Sequence, residues 1–209
     1  MDNSKNKIIA IIDYRLNNLN SVKNCLRKMK CDFSIITSEE NFIDATHYIL
    51  PGVGSFNLAM RNIKSMKIIS RLKDNIIKIK SKILGICLGM QLLFEKSYED
   101  GENVGLGLIK GEVKKLERYK DLNVPNMGWL KTKFTKNDKF LEGIESNSFF
   151  YFVHSYACYV KDKKISLSSL KYKNEFDVII RDDNIFGLQF HPEKSQEPGL
   201  KLLNNFING

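Results

Sequence analysis

Between residues 7 and 91 the chain switches repeatedly between two hydrophobic periods, and this alternation restricts its fold more than any other feature. Lys7 to Ile12 is apolar, rich in β-branched residues and ends at Asp13, so it reads as a strand buried on both faces. From Leu19 to Met29 the apolar positions 19, 22, 26 and 29 recur at helical spacing. Phe33 to Ile36 and Tyr48 to Leu50 read as strands, the stretch from about Leu58 to Lys80 as a helix, and Ile83 to Ile86 as a strand. Strands and helices alternating through short connections imply right-handed crossovers and a parallel sheet covered on both faces.

After about Gly105 the pattern changes to short alternating runs, at Leu108 to Leu116, Leu130 to Phe134, Phe149 to Val153, Ser166 to Leu170 and Phe176 to Ile180. Polar turns such as Lys136-Asn137-Asp138 and Asp182-Asp183-Asn184 separate them, the texture of antiparallel strands. Glu197 to Ile207, with apolar positions 200, 203, 206 and 207, reads as a closing helix. No repeat or linker-like segment interrupts the chain. The expectation is one α/β domain over residues 1–209: an open, mostly parallel sheet flanked by helices, with an antiparallel or mixed extension in the C-terminal half.

Composition removes several function classes. The longest apolar runs, Ile8 to Ile12 and Phe149 to Val153, fall far short of the ~20 residues of a spanning helix, and the N-terminus has no apolar signal core. No membrane association and a cytoplasmic location are expected. Cysteines 25, 31, 87 and 158 form no CxxC pair, and histidines 47, 154 and 191 lack metal-finger spacing, so no disulfide scaffold, metal or other cofactor is expected. The net charge is +9, but the basic residues are mostly Lys scattered along the chain rather than one stripe, which argues against nucleic acid as a partner.

Chemistry concentrates where a buried strand runs into a helix, at Gly85-Ile86-Cys87-Leu88-Gly89-Met90-Gln91. Gly-x-Cys-x-Gly across such a junction has the form of a nucleophile elbow: the glycines omit Cβ atoms that would clash in a sharp turn, which exposes the central side chain at the carboxyl end of the sheet. A helix N-terminus at Cys87 would favour its thiolate. Cys25, Cys31 and Cys158 have no such setting and read as small buried hydrophobes. A thiolate nucleophile needs a general acid/base and a group to orient it. In Gln189-Phe190-His191-Pro192-Glu193, residues two apart in an extended segment point the same way, so His191 and Glu193 form one candidate pair; His154 in Phe152-Val153-His154-Ser155-Tyr156 is a second candidate base, and local pattern does not choose between them. Pro51-Gly52-Val53-Gly54, between a strand and a helix, has a backbone able to turn N–H groups toward an oxyanion.

In chain order, the Pro51-Gly52-Val53-Gly54 turn, the elbow and Gln189-Phe190-His191-Pro192-Glu193-Lys194-Ser195 resemble a class I glutamine amidotransferase domain. Val124-Pro125-Asn126-Met127-Gly128-Trp129 and Phe152 to Tyr156 further resemble one branch, the glutaminase subunits of imidazole glycerol phosphate synthases. The resemblance covers nearly the whole chain. It implies a Cys87-His191-Glu193 triad that hydrolyses L-glutamine to glutamate and ammonia, with Gln91, Ser155 and Tyr156 holding the glutamine and the Gly52-Val53-Gly54 backbone and the Leu88 N–H forming the oxyanion hole. It also implies a heterodimer with a (β/α)8-barrel cyclase subunit that receives the ammonia for histidine biosynthesis, with Asn126, Met127 and Trp129 at the interface. The family pattern Asp-Tyr-Gly-x-Gly-Asn-Leu is here Asp13-Tyr14-Arg15-Leu16-Asn17-Asn18-Leu19, and Arg15 tolerates a left-handed backbone poorly. Two other roles are weighed beside this one: a paralogous subunit feeding ammonia to a sugar-modifying synthase of surface polysaccharides, and a free-standing cysteine hydrolase of γ-glutamyl amides.

Overall fold

The computed structural model describes residues 7–16, 19–119 and 123–209. Its strands are β1 (Ile9–Ile12), β2 (Phe33–Ile36), β3 (His47–Gly52), β4 (Lys82–Cys87), β5 (Phe94–Ser97), β6 (Asn103–Val104), β7 (Ile109–Lys115), β8 (Asn126–Lys131), β9 (Phe149–His154), β10 (Tyr156–Val160), β11 (Ser166–Lys171), β12 (Glu175–Asp182) and β13 (Ile185–Leu188). The helices are α1 (Leu19–Lys28), α2 (Phe56–Ser65), α3 (Ile69–Ile77), α4 (Leu88–Leu92) and α5 (Gln196–Asn208).

One sheet runs in the order β2-β1-β3-β4-β13-β12-β10-β7-β5-β6, with β11 paired to β12. From β2 to β13 every pairing is parallel. Beyond β13 the sheet turns antiparallel through β12, β10 and β7, with one further parallel pairing between β7 and β5. The parallel half and the mixed extension are therefore both present. Period-2 alternation explains the double coverage: on β1, Ala10 and Ile12 join the core under α2 and α3, while Ile9 and Ile11 join the core under α1 and α5. No described helix is long and apolar enough to cross a membrane.

Three expectations need correction. The stretch from Leu58 to Lys80 is two helices, α2 and α3, broken where Lys67 adopts φ +57°. Apolar residues continue across the break, with Ile63, Met66, Ile68, Leu72 and Ile76 all buried, so the hydrophobic period gives no warning of it. The strand expected at Leu130 to Phe134 is β8, displaced to Asn126–Lys131, because Asn126 and Gly128 interrupt its apolar alternation. Finally, β5, β6, β10 and β13 have no counterpart in the sequence reading. Among the described residues β8 pairs only with β9, from Asn126↔His154 to Lys131↔Phe149, and this hairpin lies apart from the main sheet.

Candidate active site

Strand β4 enters α4 through Cys87, whose backbone sits at φ 54°, ψ −110°. A non-glycine residue at positive φ is strained by ~1–3 kcal/mol and persists only where its surroundings fix it. Here they do. A Cβ on Gly89 would lie 1.6 Å from the Leu50 carbonyl oxygen, and one on Gly85 would lie 2.6 Å from the Gly89 carbonyl oxygen, so strand, elbow and helix approach too closely for any side chain. Helix α4 has only five residues, so the expected support for a thiolate from a helix end comes from little more than one turn. The Cys87 side chain is nearly buried, with its sulfur 3.8 Å from the Val153 carbonyl oxygen.

His191 and Glu193 meet as expected but by a different local geometry. The chain leaves β13 at Leu188 and folds into a 3-10 turn at Pro192–Lys194, and this turn, not an extended strand, brings His191 Nδ1 within 2.8 Å of Glu193 Oε1. Both side chains are 2% exposed. A carboxylate only accepts, so Nδ1 carries a hydrogen in either charge state of the ring and Nε2 is the nitrogen left to exchange a proton with a reacting group. Nε2 has no hydrogen-bond partner among the described residues and interacts electrostatically with the Cys87 sulfur. Burial opposes a charged ring here, but the Cys87 sulfur and the Glu193 carboxylate outweigh it and hold the His191 pKa up to about 10. The His191 main chain is pinned as well: its N–H donates to the Tyr151 carbonyl at 2.9 Å, and Ser195 Oγ donates to its carbonyl at 2.6 Å.

His154 is placed differently. Nδ1 donates to the Tyr156 carbonyl at 2.9 Å, and Nε2 lies 2.9 Å from Asn126 Nδ2, which donates to it. Both ring nitrogens are thus occupied, and burial lowers its pKa to about 4. Of the two, only His191 keeps a ring nitrogen without a hydrogen-bond partner among the described residues, although His154, not His191, lines the cavity beside Cys87. This also corrects Asn126: it was expected at an interface and is instead buried under His154, while Met127 and Trp129 on the other face of β8 are exposed. Burial pushes the Cys25, Cys31 and Cys158 thiols upward, as suits unreactive sulfur.

Cys87 opens into a cavity of about 290 Å³ lined also by Val53, Gly54, Leu88, Gln91, Ser155 and Tyr156, so six more of the expected residues come together there. Gln91 Nε2 donates to the Tyr156 carbonyl at 2.9 Å, which fixes the cavity wall. Glu99 also lines the cavity and was not anticipated. It is an ordinary-looking acid in a charged turn; its significance comes from one carboxylate oxygen accepting the Phe56 N–H at 2.7 Å, and burial raises its pKa. A larger open groove of about 750 Å³ over residues 134–146 contains none of the expected site residues. Among the described residues no group of His, Cys, Asp and Glu is arranged to hold a metal ion.

The Pro51-Gly52-Val53-Gly54 turn is next to the nucleophile because Gly52 pairs with Cys87 in the β3–β4 register. Its Val53 N–H, however, donates to the Leu16 carbonyl at 3.0 Å and is unavailable to a ligand. Leu16 follows Arg15, which does take the left-handed conformation, at φ 64°, with its N–H donating to Asp13 Oδ1 at 2.9 Å. Asn17, the other departure in this loop, lies outside the described residues.

Residues 10–208 match the family "Glutamine amidotransferase class-I". The chain belongs to the class-I glutamine amidotransferases. Among relatives of this amidotransferase, imidazole glycerol phosphate synthase subunit HisH 1 of Campylobacter jejuni is 45% identical over 199 residues, covering 95% of this chain and 98% of the relative. Imidazole glycerol phosphate synthase subunit HisH 2 of Methanococcus maripaludis is 44% identical, with 96% and 98% covered. The fold is shared with the structure of PurLQS from Thermotoga maritima, at TM-score 0.73 and 20% identity, covering 97% of this chain and 98% of that one.

Proposed function

We propose that this amidotransferase is the glutaminase subunit of an imidazole glycerol phosphate synthase, supplying ammonia to a (β/α)8-barrel cyclase in histidine biosynthesis. The catalytic part rests on one observation: the buried His191–Glu193 pair leaves Nε2 free beside the sulfur of Cys87. The pathway rests on full-length relatives that carry that name.

In this mechanism the Cys87 sulfur adds to the γ-carboxamide carbon of glutamine. Imidazolium His191 then gives its Nε2 proton to the departing nitrogen, the C–N bond breaks, and ammonia leaves a γ-glutamyl thioester. Water, deprotonated by the now neutral His191, adds to the thioester; the C–S bond breaks and glutamate leaves. Glu193 keeps the imidazole in one tautomer and offsets its positive charge. The Leu88 N–H and, once turned from Leu16, the Val53 N–H receive the oxyanion. Glu99 offers negative charge to the substrate's α-ammonium, and Gln91, Ser155 and Tyr156 shape the cavity around its backbone.

The exposed side chains of Met127, Trp129 and Phe149 on the β8–β9 hairpin form the docking surface for the barrel, with Trp129 braced edge-on against Tyr151 at 5.8 Å. The test is turnover of glutamine by the chain alone, with a co-expressed barrel subunit, and with that subunit plus the ribulosyl aminoimidazole carboxamide nucleotide. Cyclised product with glutamine as nitrogen donor is expected. The left-handed Arg15 in a loop that is glycine-rich in the family favours a second reading, a paralogous subunit feeding a sugar-modifying synthase. Under that reading the histidine-pathway nucleotide would neither stimulate turnover nor be consumed. Equal rates in all three mixtures would instead favour a free-standing γ-glutamyl hydrolase.

A further inference from the structure

We propose that the Tyr14 hydroxyl is a positioning group for the oxyanion turn, receiving the Gly52 carbonyl when the Gly52–Val53 peptide rotates into its oxyanion-binding orientation. The proposal rests on the glutaminase reading above. Tyr14 is 1% exposed, and its hydroxyl has no hydrogen-bond partner among the described residues. A phenylalanine would fill the same space without burying an unpaired oxygen, so the oxygen calls for a function in some other state of the molecule.

Its position indicates that state. A Cβ built on Gly52 would fall 1.7 Å from the Tyr14 hydroxyl oxygen and 3.0 Å from its ring carbon Cζ, so the phenol occupies the space a side chain at residue 52 would need. Glycine is required at Gly52 because Tyr14 is there. The tyrosine is also held from behind, its own carbonyl accepting Asn62 Nδ2 of α2 at 2.9 Å. The hydroxyl thus stands at a fixed point against the peptide that has to move.

A trans peptide directs its carbonyl opposite to its N–H. With the Val53 N–H on Leu16, the Gly52 carbonyl faces away from Leu16. Rotation of that peptide by about half a turn sends the N–H toward Cys87 and brings the Gly52 carbonyl round to the side of the Leu16 carbonyl, where two acceptors would face each other without a donor. The Tyr14 O–H is a free, rotatable donor on the Gly52 flank. It is unpaired in the latched state and paired in the rotated one, so it biases the equilibrium toward oxyanion binding.

The test compares wild type with Tyr14→Phe in the full chain, alone and with its co-expressed barrel subunit, by three readouts. The first is steady-state L-glutamine turnover, which passes through an oxyanion. The second is alkylation of Cys87 by iodoacetamide, a displacement that forms no oxyanion, and the third is the thermal midpoint. Loss of one hydrogen bond in the rotated state should lower kcat by about 2- to 12-fold with KM unchanged. Alkylation should be unaffected, and the thermal midpoint should equal or exceed that of wild type. Unchanged turnover, an equal loss in turnover and alkylation, or a lowered midpoint would each overturn the proposal. Absence of Cys87-dependent turnover in wild type, alone and assembled, would instead overturn the glutaminase reading, and the Tyr14 proposal with it.

Discussion

Replacing Val53 with glycine should release the oxyanion turn in the absence of any partner. Rotating the Gly52–Val53 peptide breaks the 3.0 Å bond from the Val53 N–H to the Leu16 carbonyl, a net cost of ~1 kcal/mol. It also turns φ of Val53, which is not among the positive-φ residues, through about half a turn into the positive region. For a β-branched side chain that adds at least ~1–2 kcal/mol. Together these place the rotated state some 2–3 kcal/mol up, populated at about 0.6–3%, so a partner that locks it could raise turnover by roughly 30- to 160-fold. The upper end of that range reaches the ~10²–10³-fold contribution of one oxyanion-hole donor. Glycine at residue 53 removes the φ term alone, so Val53→Gly should raise glutamine turnover of the isolated chain by about 5- to 30-fold. Turnover of the stimulated complex should stay within about twofold of wild type. The Val53 side chain is 38% exposed, so little packing is lost. The assay is glutamate release at saturating glutamine, with and without the barrel subunit and nucleotide. A Val53→Gly chain no faster than wild type in isolation would refute the rotation and leave the Leu16 contact a passive turn bond.

Cys87→Ala should abolish glutamine-dependent synthesis while the assembled enzyme still works with added ammonium salt, and glutamine-analogue electrophiles should label Cys87 in wild type; labelling of Cys25, Cys31 or Cys158 would refute the assignment. His191→Asn should cost several orders of magnitude in glutaminase turnover and Glu193→Gln less, since the base survives without its orienting charge; a larger loss from His154→Asn would reverse the roles of the histidines. Stability should fall on acidification. His47 and His154 are held neutral with pKa values of about 4 against 6.5 in an unfolded chain, chiefly by burial. The unfolded state therefore binds more protons between these values, and up to about 3 kcal/mol per histidine, present above pH 6.5, is lost as pH falls toward 4. His191 acts with the opposite sign: its contribution is complete below pH 6.5 and is lost as pH rises through about 10. Denaturant unfolding at a series of pH values reads both limbs, and a flat profile from pH 7 to 4 would refute the acid limb.

The elbow was legible because its requirements are local. A buried strand, two glycines and a cysteine are adjacent in sequence, and each glycine answers to a backbone contact within the same junction or the next strand. The His191–Glu193 pair was found for a reason that did not hold: proximity in sequence sufficed, although the segment turns rather than extends. Strands β10 and β13 escaped because their residues acquire strand character from pairing with distant partners, such as Gly187 opposite Gly85. Glu99 and the Leu16 latch are harder cases. Glu99 is marked only by what folds around it, and the latch is a main-chain carbonyl, which any residue supplies. Asn126 shows the opposite error, since a polar residue beside an exposed Met and Trp reads as surface until the alternation of β8 turns it inward onto His154.

The site divides into parts of unequal freedom. Cys87 is fixed by close backbone approaches on both sides of the elbow, and the His191 main chain by Tyr151 and Ser195, so neither can shift without disturbing the sheet. Past the β3–β4 pairing at Gly52, the turn is held among the described residues by one hydrogen bond to the β1–α1 loop and by the packing of Gly52 on Tyr14. Because β3 and β4 are paired at Gly52 and Cys87, the turn is already beside the nucleophile, and one peptide rotation is enough to complete the site. If the chain feeds ammonia to an acceptor subunit, as proposed, this division keeps ammonia from being released before an acceptor is waiting. On the proposed reading the nucleophile and its histidine stay assembled at all times, and the missing donor is supplied by a change small enough for a docked partner to bias through the loop that holds Leu16.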